Sequence, residues 1–188
     1  MRTDTRPASG SAQCARLCLA LLLLHVQAGA GEPSTARHGE WRSYGNDPAS
    51  TKYTPLDQIS RENVSKLRIL WRRPGLDPRL REVQPDLNPH PYFRPTPLMI
   101  DGVLYAANAI GSVEAFDPGT GSTLWVQEPP EQGFREPAGL TTRTVAFWSG
   151  GSERRILAAR GDYLVSMDAK TGRLDCKFGD GGKVDLSR

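Results

Sequence analysis

Few side chains in this sequence could do chemistry, and they are scattered. The three cysteines are Cys14, Cys18 and Cys176, and the three histidines are His25, His38 and His90. No Cys-x-x-Cys-His haem site is present, and the histidine spacing fits no metal site. All three histidines read as solvated. No Gly-rich phosphate loop or nucleophile elbow occurs. Asp117, followed by Thr120 and Gly121, is placed for structure: its carboxylate can accept hydrogen bonds from the free N–H groups of a turn. The Glu153-Arg154-Arg155 cluster at a turn reads as solvated charge.

The elements around these residues are predicted to be short strands. Of the 188 residues, 19 are Gly and 15 are Pro, spread along the chain, which favours an all-β fold with many tight turns. Residues 95–127 and 142–179 each read as a run of strands. Asp101-Gly102 is a two-residue hairpin signal between apolar runs. Gly111-Ser112 and Gly119-Thr120-Gly121 mark the next turns, and Gly150-Gly151, Gly161-Asp162 and Lys170-Thr171-Gly172 hold the equivalent places in the second run. Leu104 to Ala107 matches Ile156 to Ala159 at a spacing of 52, and Asp117, Thr120 and Gly121 match Asp168, Thr171 and Gly172 at 51. A period near 50 with four short strands per unit describes a β-propeller blade. The alternative is two unrelated hairpins sharing common turn residues. Upstream, Ser60 and Asn63 suggest one short helical turn between Leu56 and Leu67, and Leu67 to Trp71 alternates like a strand. The proline-dense stretch from Arg73 to Pro97 reads as a surface loop.

Residues 1–30 read as a cleavable signal peptide: Arg2, Arg6 and Arg16, then an apolar core from Leu17 to Val26, then Ala28-Gly29-Ala30 as a small-x-small site. The core is about half the ~20 residues a membrane span needs, so a transmembrane anchor is the weaker reading and a mitochondrial presequence weaker still. Residues 31–40 read as a flexible start and 41–188 as the folded domain. Without residues 1–30 the chain keeps 21 basic and 20 acidic side chains. That balance gives no electrostatic grip on nucleic acid or an anionic membrane. Export would also remove Cys14 and Cys18, leaving Cys176 and no internal disulfide.

The run from Ala115 to Trp125, of the form A-x-D-x-x-T-G-x-x-x-W, resembles the tryptophan-docking motif of the quinoprotein alcohol and glucose dehydrogenases, which use pyrroloquinoline quinone (PQQ). Residues 41–72 resemble the N-terminal segment of that family, residues 96–107 its first full hairpin, and residues 178–186 the sequence after its second docking turn. A second copy, Ser166 to Cys176, keeps Asp168, Thr171 and Gly172 but has Ser166 for Ala and Cys176 for Trp, so Cys176 is expected to be a small buried filler.

The resemblance implies a partial propeller, about two blades of a ring of about eight, whose Trp residues tie neighbouring blades together. It implies PQQ held with Ca²⁺, an Asp base, and electrons passed to a cytochrome or a quinone. The Ca²⁺ ligands and the base would lie in later blades. Thr142 to Trp148 resembles the family segment whose Arg contacts the quinone, which makes Arg143 the candidate cofactor-binding residue: a fork of donors suits carboxylates and quinone oxygens. Two positions depart from the family. Arg94 stands where a Glu is often found, and the adjacent-cysteine pair of some members would fall near Pro137-Ala138 and is absent. The function expected is the N-terminal part of an oxidoreductase acting on alcohols, sugars or aldehydes, inactive and aggregation-prone alone, needing the remaining blades or another chain. The alternatives are a non-catalytic propeller scaffold and an independent two-blade domain, the last poor because repeat units need neighbours.

Overall fold

The structure, a computed structural model, describes residues 39–90, 93–128, 143 and 145–187. Among them lie two four-stranded antiparallel sheets, each a simple up-and-down meander. The first holds β1 (Leu98–Ile100), β2 (Val103–Ala107), β3 (Val113–Phe116) and β4 (Thr123–Val126). The second holds β5 (Ala146–Gly150), β6 (Glu153–Arg160), β7 (Tyr163–Asp168) and β8 (Lys183–Asp185). Two blades of four strands are what the period near 50 predicts, and the fold is a partial β-propeller.

Local chemistry sets the turns. Asp101 and Gly102 both have positive φ, 48° and 79°, the pairing a two-residue hairpin of matching twist requires. The β3–β4 turn is built on Asp117, whose Oδ1 accepts from the backbone N–H of Gly119 (3.0 Å) and Thr120 (2.7 Å) and from the Thr120 hydroxyl (2.9 Å). The same turn recurs after β7, where Asp168 Oδ1 accepts from the Thr171 N–H (2.8 Å) and hydroxyl (2.7 Å).

One apolar core runs through both sheets. Leu98, Ile100, Tyr105, Val113 and Ala115 of the first sheet join Ile156, Ala158, Val165 and Met167 of the second, all buried. Two tryptophans sit on the blade turns in the same way. Trp125 donates from Nε1 to the Ala169 carbonyl (3.0 Å), and its ring lies so close over Gly172 that a Cβ there would come within 2.5 Å. Trp71 donates to the Pro118 carbonyl (2.8 Å) and lies over Gly121, where a Cβ would come within 2.6 Å. Trp71 thus stands to the first blade's turn as Trp125 stands to the second's.

Several expectations are corrected. The proline-dense stretch contains a helix, α1 (Pro78–Val83). Asp77 caps it, accepting from the Arg79 N–H (3.0 Å), and Pro78 sits at the first position, where its missing N–H costs nothing. Leu67 to Trp71 forms no strand; Leu67, Ile69 and Leu70 are 60%, 67% and 81% exposed. The turn upstream is a 3-10 turn at Val64–Lys66, and Ser60 and Asn63 bond as expected just before it: the Ser60 hydroxyl accepts from the Glu62 N–H (3.2 Å), and the Ser60 N–H donates to Asn63 Oδ1 (2.7 Å). Cys176 is exposed, not a buried filler. After Gly172 the chain makes only an isolated bridge at Leu174 before looping out, and β8 returns later to pair with β7. Gly179 makes that return possible, since a Cβ there would lie 2.2 Å from the Lys183 carbonyl. The Glu153-Arg154-Arg155 cluster is engaged as well as solvated. Arg154 pairs with Asp101 of the first sheet (3.2 Å), and Arg155 pairs with Asp175 (3.1 Å) while lying over the Trp148 ring.

Candidate functional site

In an up-and-down sheet the strand ends alternate, so one end of each blade collects the start of its first strand, the second turn and the end of its fourth strand. At that end Thr96 leads into β1 and Arg143 stands three residues before β5. The Thr96 N–H donates to the Arg143 carbonyl at 2.7 Å, joining the heads of the two first strands. Arg143 and Arg94 are both exposed. Thr142, Thr144, Pro137 and Ala138 lie outside the described residues, as do Cys14, Cys18, His25 and His38.

The stretch from Arg73 to Pro97 crosses this end of the first blade and is tied down along its length. The Ala109 N–H donates to the Gly75 carbonyl (2.7 Å), and the His90 N–H donates to the Ala109 carbonyl (2.8 Å). Where the stretch begins, a buried charge cluster forms that sequence reasoning missed. Arg73 pairs with Glu114, lies over the Phe116 ring at 4.3 Å, and donates to the Thr123 hydroxyl (3.2 Å). That hydroxyl donates in turn to Asp77 (2.6 Å), which also accepts from the Arg79 guanidinium (3.0 and 2.9 Å). Apart from Asp77 and Arg79, two residues apart, these partners are more than forty residues apart in sequence, so no local signal announces them. Arg79 beside Asp77 holds its carboxyl far below the usual carboxylate range, with burial opposing and the Thr123 bond reinforcing. Burial pushes the Glu114 carboxyl up, and Arg73 only partly offsets it.

A second contact joins the blades at this end. Arg160 is buried and donates from Nη2 to the Ser112 hydroxyl and the Glu128 carbonyl, both at 3.3 Å. Among the described residues no group of three or more His, Cys, Asp or Glu could hold a metal ion. The described residues therefore offer arginines and hydroxyls at the heads of the first strands, chemistry suited to an organic anion. They offer no calcium cage.

Two adjoining four-stranded antiparallel blades are the repeating units of a β-propeller. Residues 41–188 match the model of the PQQ glucose/ethanol/alcohol dehydrogenase β-propeller domain, and the chain belongs to that family. It is 34% identical over 139 residues to the dehydrogenase subunit of the quinone alcohol dehydrogenase of Gluconobacter oxydans, covering 72% of this chain and 16% of that protein. It is 30% identical over 175 residues to the 1-butanol dehydrogenase (cytochrome c) of Thauera butanivorans, covering 92% of this chain and 22% of the relative. The solved quinohemoprotein alcohol dehydrogenase of Comamonas testosteroni superposes with a TM-score of 0.57 at 29% identity, over 74% of this chain and 19% of that one. The chain thus spans about a fifth of the length of such relatives.

Proposed function

We propose that this chain forms the first blades of a PQQ-dependent dehydrogenase that oxidises alcohols, sugars or aldehydes. The observation that carries this reading is the family match over residues 41–188 onto two adjoining blades, with Arg143 at the head of the second blade's first strand. In a propeller the first strand of each blade faces the central channel, so Arg143 would stand at the channel mouth. PQQ, a planar quinone with carboxylates, supplies the two-electron acceptor; the protein supplies orientation and electrostatics. Arg143 would bind a carboxylate or quinone oxygen, Thr96 would fix the Arg143 backbone, and Ca²⁺ ligands and the base would come from other blades.

Further parts of the reading rest on weaker support. The positive, apolar and small-residue order of residues 1–30 supports a signal peptide and a periplasmic or secreted location. The equivalent seating of Trp71 and Trp125 supports tryptophan docking between blades, and with it the remaining blades as partners. A relative named as cytochrome c-linked supports a cytochrome as electron acceptor; a quinone is the other acceptor the family resemblance implies.

Titration of the full chain with PQQ, followed by tryptophan fluorescence, tests the reading. Saturable quenching is expected, weakened about tenfold or more by Arg143→Ala through loss of a charge-assisted contact. Quenching that is identical in wild type and variant would remove Arg143 from the site.

A further inference from the structure

The stretch from Trp71 to Thr96 is a strap. Trp71 fastens one end to the β3–β4 turn, and the Thr96–Arg143 bond fastens the other. Between them lies the buried charge cluster, which the proposed function does not employ. Arg73 closes on Glu114 of β3 and on the Thr123 hydroxyl of β4, and that hydroxyl reaches Asp77, the cap of α1. The Arg73–Glu114 pairing is incomplete: Glu114 Oε1, Arg73 Nη1 and Asn108 Nδ2 are buried with no hydrogen-bond partner. A buried ion pair with an unsatisfied atom on each side does not recover its desolvation in full. Arg73 from the strap, Asp77 and Arg79 from α1, and Asn108 from the β2–β3 turn face Glu114, and burial outweighs them, raising its carboxyl above 4.5. Asp77 is the opposite case. Its Oδ1 accepts from the Arg79 N–H and Nε, and its Oδ2 from Arg79 Nη2 and Thr123, so the ionised form is favoured and the carboxyl lies below 3.8.

We propose that this cluster is a pH-sensitive latch on the strap, tightest in mild acid and looser toward both neutrality and strong acid. A strap lifted from the blade returns both carboxyls to water and to their ordinary titration. Between about pH 4 and 5 Asp77 is ionised and Glu114 takes up its proton, each in the form the closed latch favours. As pH rises through the elevated value of Glu114, the closed latch must hold an incompletely paired buried charge. As pH falls below 3.8 toward the depressed value of Asp77, the cap and its bonds to Arg79 are lost. Leu76 and Leu80 stay buried in every state, so the strap loosens without leaving the blade. The latch acts without a cofactor, so its test stands apart from the dehydrogenase reading.

Hydrogen–deuterium exchange of the full chain from about pH 3 to 8, each rate divided by the intrinsic rate at that pH, tests the latch. The Arg79, Leu80 and Gln84 amides bond within α1 and at its ends and report the strap; the β2 and β3 amides report the blade. Strap protection in the wild type is expected to peak between about pH 4 and 5 and to fall about tenfold toward neutrality, while the blade stays protected. Glu114→Gln should abolish the fall on the neutral side and keep the one in acid. Asp77→Asn should do the reverse. Strap protection that is independent of pH overturns the latch, as does a fall that persists in the variant meant to abolish it, or a blade that loosens in step with the strap. If Glu114→Gln loses the protection of the blade as well, NMR titration of the wild-type Glu114 carboxyl carbon decides: a midpoint above 4.5 supports the latch, and one at or below 4.5 overturns it.

Discussion

Two carboxylates in one buried cluster are displaced in opposite directions, and their effects on stability have opposite signs. Asp77 is held below its ordinary 3.8 chiefly by Arg79. Its contribution is present above that value and is lost as pH falls toward the depressed native one. Asp77→Asn should therefore destabilise the fold near neutral pH, and the gap from wild type should narrow as urea midpoints are measured below about pH 4. Glu114 is raised above its ordinary 4.5 by burial. Its contribution is present below 4.5 and is lost as pH rises through the elevated native value. Glu114→Gln should flatten the fall in stability between about pH 4.5 and neutrality, and a wild-type slope that persists in the variant would contradict this. Glycine offers a second residue-scale test. Gly172 has φ 71° with the Trp125 ring against it, whereas Gly102 has φ 79° with nothing within 4 Å. Gly102→Ala should cost about 1–2 kcal/mol, the strain of left-handed backbone alone. Gly172→Ala should cost about 2–4 kcal/mol, because the indole must also move. Equal losses in urea unfolding would mean that Trp125 is not seated on that turn.

Among elements, the strands were legible and the helix was not, for physical reasons that differ. Asp101-Gly102, Asp117 to Gly121 and Asp168 to Gly172 fix their turns by local backbone chemistry, so spacing alone placed seven of the eight strands near where they lie. The fourth strand of the second blade was misplaced because its position depends on Gly179 and the Lys183 carbonyl meeting across a loop, a contact that no periodicity encodes. Helix α1 is too short to form on propensity, and the prolines of the stretch around it read as breakers. Its stability comes from Leu76 and Leu80, 5% and 2% exposed, and from the Asp77–Thr123 bond to β4. Leu80→Ala should accordingly cost about 2–4 kcal/mol in urea unfolding. A loss well under 1 kcal/mol would show that α1 merely rests on the blade. Of the candidate site, resemblance singled out Arg143 as a candidate, but its bond to Thr96 links residues 47 apart and emerges only when both first strands are in place.

At the scale of the whole molecule, the equivalence of Trp71 and Trp125 decides how the segment before the first blade should behave. Trp125 belongs to β4, a fourth strand paired with β3, and from there reaches the next blade's turn. Trp71 reaches the first blade's turn in the same manner, yet the residues leading to it have no strand partner among the described residues. Leu67, Ile69 and Leu70 are consequently more exposed than any core strand of the fold. An apolar segment with unpaired backbone is a template for strand addition, and a blade's missing strands are the surface that fits it. The isolated chain should therefore self-associate at micromolar concentration in sedimentation velocity. Ile69→Lys with Leu70→Lys should shift it toward monomer without lowering the urea midpoint of the two blades, since neither side chain touches their core. A wild-type chain that sediments as a monomer and melts cooperatively would show that this segment needs no partner, and the argument for further blades would then rest on the family match alone.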